Sequence, residues 1–171
     1  FVYSREKLLE EYFELLKSVV DCCALAMIIY SDFKVNIVLS LSCDLPEEEM
    51  NKIKTFLMSR VQGTSEKQQP KWNIIERGKG EKATESIMIK SFLSIPIIHQ
   101  DALLGELALF SFDHDVFENN KKTLELLTGD FSTLLDLLLL YENNRLLSIT
   151  DGLTKVYNHR HFHEVLENEW L

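Results

Sequence analysis

The chain has 171 residues, of which 46% are hydrophobic and 26% charged, enough for one folded domain with flanking helices and unlike the composition of a disordered segment. Its 27 acidic against 18 basic residues leave a net charge of -9, a field that repels phosphate backbones and anionic lipid heads, so neither nucleic acid nor a membrane is expected as a partner. Three cysteines, Cys22, Cys23 and Cys43, lie in apolar runs without Cys-x-x-Cys spacing and read as reduced core thiols of a cytoplasmic protein.

Residues 4–20 place Leu8, Tyr12, Leu15 and Val19 at steps of four and three, a helical stripe between charged faces, with Ser4 as a partial cap. The continuous apolar run 23–30 and the run 35–43 predict a β-hairpin turning at residues 31–34. Leu45-Pro46 followed by Glu47, Glu48 and Glu49 reads as a helix start, with proline in the first turn and carboxylates at the positive end of the dipole. Met50, Ile53, Leu57 and Val61 continue that helix at steps of three and four. Residues 63–69 are loop-like, residues 72–75 a short strand, and residues 78–85 a mixed-charge segment expected to act as a lid.

Between Lys67 and Lys90 six basic residues (Lys67, Lys71, Arg77, Lys79, Lys82, Lys90) stand against three glutamates, a local charge that suits a small anion or simply keeps a loop solvated. Residues 91–112 predict two strands joined at His99-Gln100-Asp101. Pro96 requires an edge or bulge position, since it donates no ladder hydrogen bond, and Gly105 marks a bulge or a close backbone approach.

From Lys122 to Ser148 there is no proline, and Leu124, Leu127, Phe131, Leu134, Leu138 and Tyr141 fall at heptad steps. A second stripe, Leu126, Leu135, Leu137 and Leu139, widens the apolar surface to two sides. Such a helix is expected to pack one side on its own domain and the other on a second copy, giving a homodimer in which the N- and C-terminal helices take part. The sequence starts without Met and ends inside an apparent helix, so it is expected to be a piece of a longer protein.

The order helix, hairpin, helix, strand, loop, strand pair and long helix resembles a GAF domain, most closely at Ser94-Ile95-Pro96-Ile97 and Leu104-Gly105-Glu106-Leu107-Ala108-Leu109. Asp151-Gly152-Leu153-Thr154-Lys155-Val156-Tyr157-Asn158, with Arg160 and Phe162, resembles the first segment of GGDEF domains, the diguanylate cyclases. The resemblances imply a GAF-like sensor domain over residues 1–148 and the start of a GGDEF-like domain over 149–171. They imply an α+β fold: a central antiparallel sheet of five or six strands, with N- and C-terminal helices on one face and ligand loops on the other. The Gly-Gly-Asp/Glu-Glu-Phe sequence does not occur in these residues, so no enzyme activity is expected of them.

By the same resemblance, Cys43 and Asp44 and the stretch from Thr84 to Ser94, with Ser91 and Phe92, face a small-molecule pocket, and Trp72 or Phe92 stacks on a base. The implied ligand is a cyclic nucleotide, cyclic AMP or cyclic GMP, and no cofactor is required. Read from the residues alone, Asp44 is also a turn residue beside Pro46, and Trp72 also a core side chain. The Asn-Lys-x-x-x-Phe signature of many cyclic-nucleotide-binding members is absent, since Thr123-Leu124-Glu125 follows Asn120-Lys121-Lys122. Among His159, His161 and His163 the first and last are spaced as a metal pair on a helix, but no third ligand of suitable spacing accompanies them beyond acidic side chains such as Glu164 or Glu167, so no metal is expected. The expected function is regulatory: a sensor controlling a downstream diguanylate cyclase through dimeric signalling helices, or else a ligand-free dimerisation scaffold for that output domain.

Overall fold

The computed structural model describes residues 4–31, 34–61, 70–76 and 88–151, and after these Thr154, residues 156–159, Phe162 and Leu166. The elements run α1 (Arg5–Val19), β1 (Ala24–Ser31), β2 (Lys34–Leu41), α2 (Glu47–Val61), β3 (Lys71–Glu76), β4 (Ser91–His99), β5 (Ala102–Ser111) and α3 (Lys121–Ile149). They divide into two compact units, Phe1–Thr133 and Leu134–Leu171.

The first unit is built on a five-stranded sheet in the order β3-β2-β1-β5-β4. Its central strand, β1, reads ALAMIIYS and is apolar on both faces, which is what a strand covered on both sides requires. β1 pairs antiparallel with β2 over Ala24↔Leu41 to Ser31↔Lys34, the expected hairpin, and antiparallel with β5 on its other side. The expectation of an all-antiparallel sheet is corrected at one edge: β2 and β3 are parallel, from Asn36↔Lys71 to Leu41↔Glu76. The reason is chain direction. A parallel pair needs a crossover between its strands, and α2 lies on the connection from β2 to β3.

Strand alternation separates the two faces of the sheet. Ala24, Ala26 and Ile28 of β1, Ile37, Leu39 and Leu41 of β2, and Ala108 and Phe110 of β5 form one cluster with Ile53, Leu57 and Val61 of α2. The intervening Leu25, Met27, Ile29, Val38, Leu107 and Leu109 are equally buried. On that second face Lys17 of α1 donates from Nζ to Ser40 Oγ at 3.1 Å. α1 is joined to α3 by the Tyr12 and Phe131 rings, stacked at 3.9 Å, and by a relay in which Tyr12 donates to Thr128 Oγ1 at 3.1 Å and Thr128 to the Leu124 carbonyl at 2.7 Å.

The helical stripe expected on α1 is shifted by one position. Leu9, Tyr12, Phe13 and Leu16 are buried, whereas Leu15 is exposed. The sequence holds two interleaved apolar stripes, and the buried face takes Leu9, Phe13 and Leu16 of one together with Tyr12 of the other. Ser4 caps the helix by accepting from the Lys7 amide at 3.3 Å. Pro46 stands just before α2, and its carbonyl accepts the Met50 amide at 3.0 Å.

β4 and β5 meet in a two-residue turn at Gln100 and Asp101, both with positive φ (46° and 67°), the sign pattern of the hairpin turns whose twist matches that of the strands. Pro96 lies on β4, an edge strand, where its missing N–H is tolerated. At Gly105 both sequence expectations are met: the β4–β5 register shifts between Ile97 and Ile98, and a Cβ built on Gly105 would overlap the carbonyl oxygen of Ile28.

Along α3, Leu124, Thr128, Phe131, Ser132 and Leu135 are buried, and Leu126 is exposed. The buried face therefore draws on both expected stripes, Leu124 and Phe131 from the heptad seam and Leu135 from the second, while Leu134 and Tyr141 of the seam and Leu126 and Leu137 of the second are exposed.

In the second unit, α3 carries Leu134, Leu137, Leu140, Tyr141, Leu146 and Leu147 as exposed apolar side chains. The helix ends at Ile149, where Thr150 forms an isolated antiparallel bridge with Tyr157. The Asp151 carboxylate accepts from the Thr154 amide at 2.9 Å and its hydroxyl at 3.0 Å, an Asx-type turn. The Asp151 amide donates to Val156 at 2.8 Å, and the Asn158 amide to Ile149 at 2.8 Å. The helix stop at Thr150-Asp151 thus has a hydrogen-bonded cause.

Candidate functional site

The most developed polar group lies on the α2 face of β4 and β5. Register pairs Phe92 with Phe110, Ser94 with Ala108, and Pro96 with Glu106, and alternation sends Phe92, Ser94, Glu106 and Phe110 toward α2. Phe56 and Arg60 of α2, four residues apart, share one helix face and meet them. The Phe56 ring lies 5.3 Å from Phe92 and 5.6 Å from Phe110, tilted and edge-on respectively, geometries favoured by aromatic quadrupoles. The Arg60 guanidinium carbon sits 5.1 Å over the Phe56 ring, and its Nε is 3.4 Å from Glu106 Oε1.

Glu106 is the chemically unusual member. Its side chain is 16% exposed, in a strand that is otherwise apolar around it, and a carboxylate so placed needs compensation. Arg60 supplies charge, and Ser94 donates its hydroxyl to the same Oε1. Tyr30, at the end of β1, belongs to the same electrostatic neighbourhood. Burial pushes its phenol upward, the negative Glu106 adds to the rise, and Arg60 opposes it.

A buried carboxylate secures the other end of α2. Glu49, 3% exposed, accepts the Ile89 amide on Oε2 at 2.9 Å and Lys52 Nζ on Oε1 at 2.7 Å, tying the residues before β4 to the first turn of α2. Burial alone would raise its carboxyl, but Lys52 and the Ile89 amide outweigh it and hold the group below the ordinary glutamate range.

The residues singled out from sequence separate on this scaffold. Phe92, 59% exposed, and Ser94 come together with Glu106, Arg60 and Phe56. Cys43 and Trp72 are partly buried against the α2-side core, alongside Tyr30 and Phe56. Asp44 is exposed in the turn before α2. Ser91 donates to the Asp113 carbonyl at 2.6 Å and so is committed to the turn after β5. Thr84 lies outside the described residues, as do Lys67, Arg77, Lys79, Lys82 and His163. Of the basic segment, Lys71 and Lys90 are described, and both are exposed.

Glu106, Arg60, Phe56 and Tyr30 were not anticipated. A readable signal existed for Glu106, a lone carboxylate inside the run LLGELALF. Arg60 carried none, because a basic residue in the last turn of a helix is ordinary. The cysteines fit the core reading: burial pushes Cys22 and Cys23 up to about 12 and raises Cys43, which leaves little nucleophilic thiolate at neutral pH. Among the described residues no group of three His, Cys, Asp or Glu could hold a metal ion, and no helix is long and apolar enough to cross a membrane.

Comparison with protein-family models, with curated proteins and with solved structures gave no match. The chemistry of the group therefore rests on its own residues: an oriented carboxylate, a guanidinium, a hydroxyl and aromatic faces, a set suited to recognising a polar planar molecule.

Proposed function

We propose that this chain is a regulatory sensor module, binding a small molecule of the cyclic-nucleotide class beside α2 and controlling a downstream diguanylate cyclase domain through paired signalling helices. The observation that carries the reading is the Arg60–Glu106–Ser94 group with its Phe56 and Phe92 walls, set on the sheet face opposite Lys17 of α1. A charged, hydrogen-bonded group of this kind costs stability to desolvate, and binding is a reason to keep it. The helical part of the reading draws on the exposed leucines of α3 and on the resemblance of residues 151–158 to the first segment of GGDEF domains. A ligand that favours one packing of the helix pair would shift the output by its difference in affinity for the two states.

Thermal denaturation with cyclic AMP, cyclic GMP and the linear monophosphates tests this. A cyclic nucleotide at about a hundred times its Kd should raise Tm by roughly 5–10 °C. Silence across the series would favour the second reading, a ligand-free dimerisation scaffold, for which the close packing of Phe56, Phe92 and Phe110 speaks.

A further inference from the structure

In the second unit, the exposed apolar side chains of α3 form a pattern. Leu134, Leu137, Leu140, Tyr141 and Leu147 are each at least half exposed. With about 100° of turn per residue, they fall within roughly 80° of Leu137 on one side of the helix, whereas the buried Leu135 lies roughly 160° from it. A continuous apolar side of this kind marks an interaction surface. Its positions recur at seven: Leu134 and Tyr141, Leu137 and Asn144, Leu140 and Leu147. Such a repeat drifts off a straight surface and stays aligned along a second helix of the same repeat wound around the first, so the occupant that matches it is another copy of α3. Asn144, also exposed, stands roughly 20° from Leu137, inside the apolar side and not at its margin.

We infer that Asn144 sets how two copies of α3 pair: parallel and in register, with the two Asn144 amides hydrogen-bonded to each other. The inference rests on the paired-helix part of the reading above and adds to it the direction and register of the pairing. A carboxamide carries both donors and an acceptor, so a second Asn144 satisfies it. Parallel, in-register helices bring the two amides face to face. An antiparallel pair centred on the same side sets each Asn144 against Leu137 of the other helix, and a parallel pair slipped by seven residues does so for one of them. The amide then leaves water without gaining a partner. A seam of leucine alone would pair more tightly but in several arrangements, and one central asparagine trades some of that affinity for a single register.

Oxidative cross-linking and sedimentation of the intact chain test the assignment. Leu147→Cys treated with diamide should give a covalent dimer well above the wild type, whose own three cysteines serve as the control. Residue 147 meets its counterpart in the parallel, in-register pair, whereas antiparallel helices set it against residue 134. Asn144→Leu should lower the dimer dissociation constant about tenfold or more. Combined with Leu147→Cys, it should also cut the cross-linked fraction by about half or more, or add species larger than a dimer. Both positions are exposed, so the circular dichroism of each variant should match the wild type, which guards against misreading a folding defect. A dimer without the Leu147→Cys cross-link, or an Asn144→Leu chain that stays wholly dimeric and as fully cross-linked, would overturn the role of Asn144 while leaving the helix pair in place. A wild-type chain that sediments as a monomer at every concentration would remove the helix pair itself.

Discussion

Single residues decide much of this molecule through what surrounds them. Gly105 and Gly129 are both glycines inside regular elements, where local propensity treats them alike, yet a methyl group on Gly105 would collide with the Ile28 carbonyl and one on Gly129 would meet nothing within 4 Å. Gly105→Ala should therefore lower stability by about 1–3 kcal/mol, since backbone must shift to admit the Cβ, and urea denaturation will measure it. Glu49 gives a pH-dependent counterpart. Its folded carboxyl titrates below the unfolded one, so the stability it contributes is complete above the unfolded value of about 4.3 and is lost as pH falls through the folded value. The difference in unfolding free energy between the wild type and Glu49→Gln should be about 1 kcal/mol at pH 7 and shrink toward zero under acid; a difference independent of pH would show that the charge on Glu49 is not what holds the Ile89 amide. At this scale the sequence is readable where a residue breaks its context. Pro96 in a strand required an edge or a bulge, and it lies on the edge; Gly105 required a bulge or a close approach, and it has the approach to Ile28. Glu106 was equally conspicuous, but its partner Arg60 lies 46 positions earlier on another element, and no local pattern links the two.

At the scale of elements, periodicity located the helices and strands but not their buried faces in full. α1 buries Leu9, Phe13 and Leu16 beside the expected Tyr12 and leaves Leu15 exposed, and α3 buries Leu124 and Phe131 of one expected stripe with Leu135 of the other. In each helix two apolar stripes lie a residue apart, and the side that is buried depends on the shape of what the helix packs against, a quantity local spacing does not contain. α3 also buries Thr128 and Ser132, which donate their hydroxyls to carbonyls of their own helix, Leu124 and Gly129, while Thr128 also accepts from Tyr12 of α1. Gly129→Ala should raise the stability of this helix by about 0.5–1 kcal/mol, because it removes backbone freedom from the unfolded chain without a clash. A loss of stability instead would mean that the surface over Gly129 is occupied in solution.

For the whole molecule, the exposed Leu134, Leu137, Leu140 and Tyr141 lead to a prediction about assembly. If these side chains form the helix pair proposed above, sedimentation velocity at micromolar concentration should give a dimer, and Leu137→Glu should shift it to monomer while the circular dichroism stays helical. A monomer at every concentration would remove paired helices from the proposal and leave the Arg60–Glu106 group to be judged alone. The net charge of -9 works against close approach of two copies, so the association should strengthen with added salt.

The sequence by itself determined the elements, their order and the hairpin that joins β1 to β2, because these depend on local periodicity and turn residues. Only the tertiary structure decided that β3 runs parallel to β2, which helix faces are buried, and that Arg60, Ser94 and Glu106 share one site. Those outcomes depend on contacts between residues far apart in the chain, whose energies are set by packing and desolvation once the sheet has brought them together.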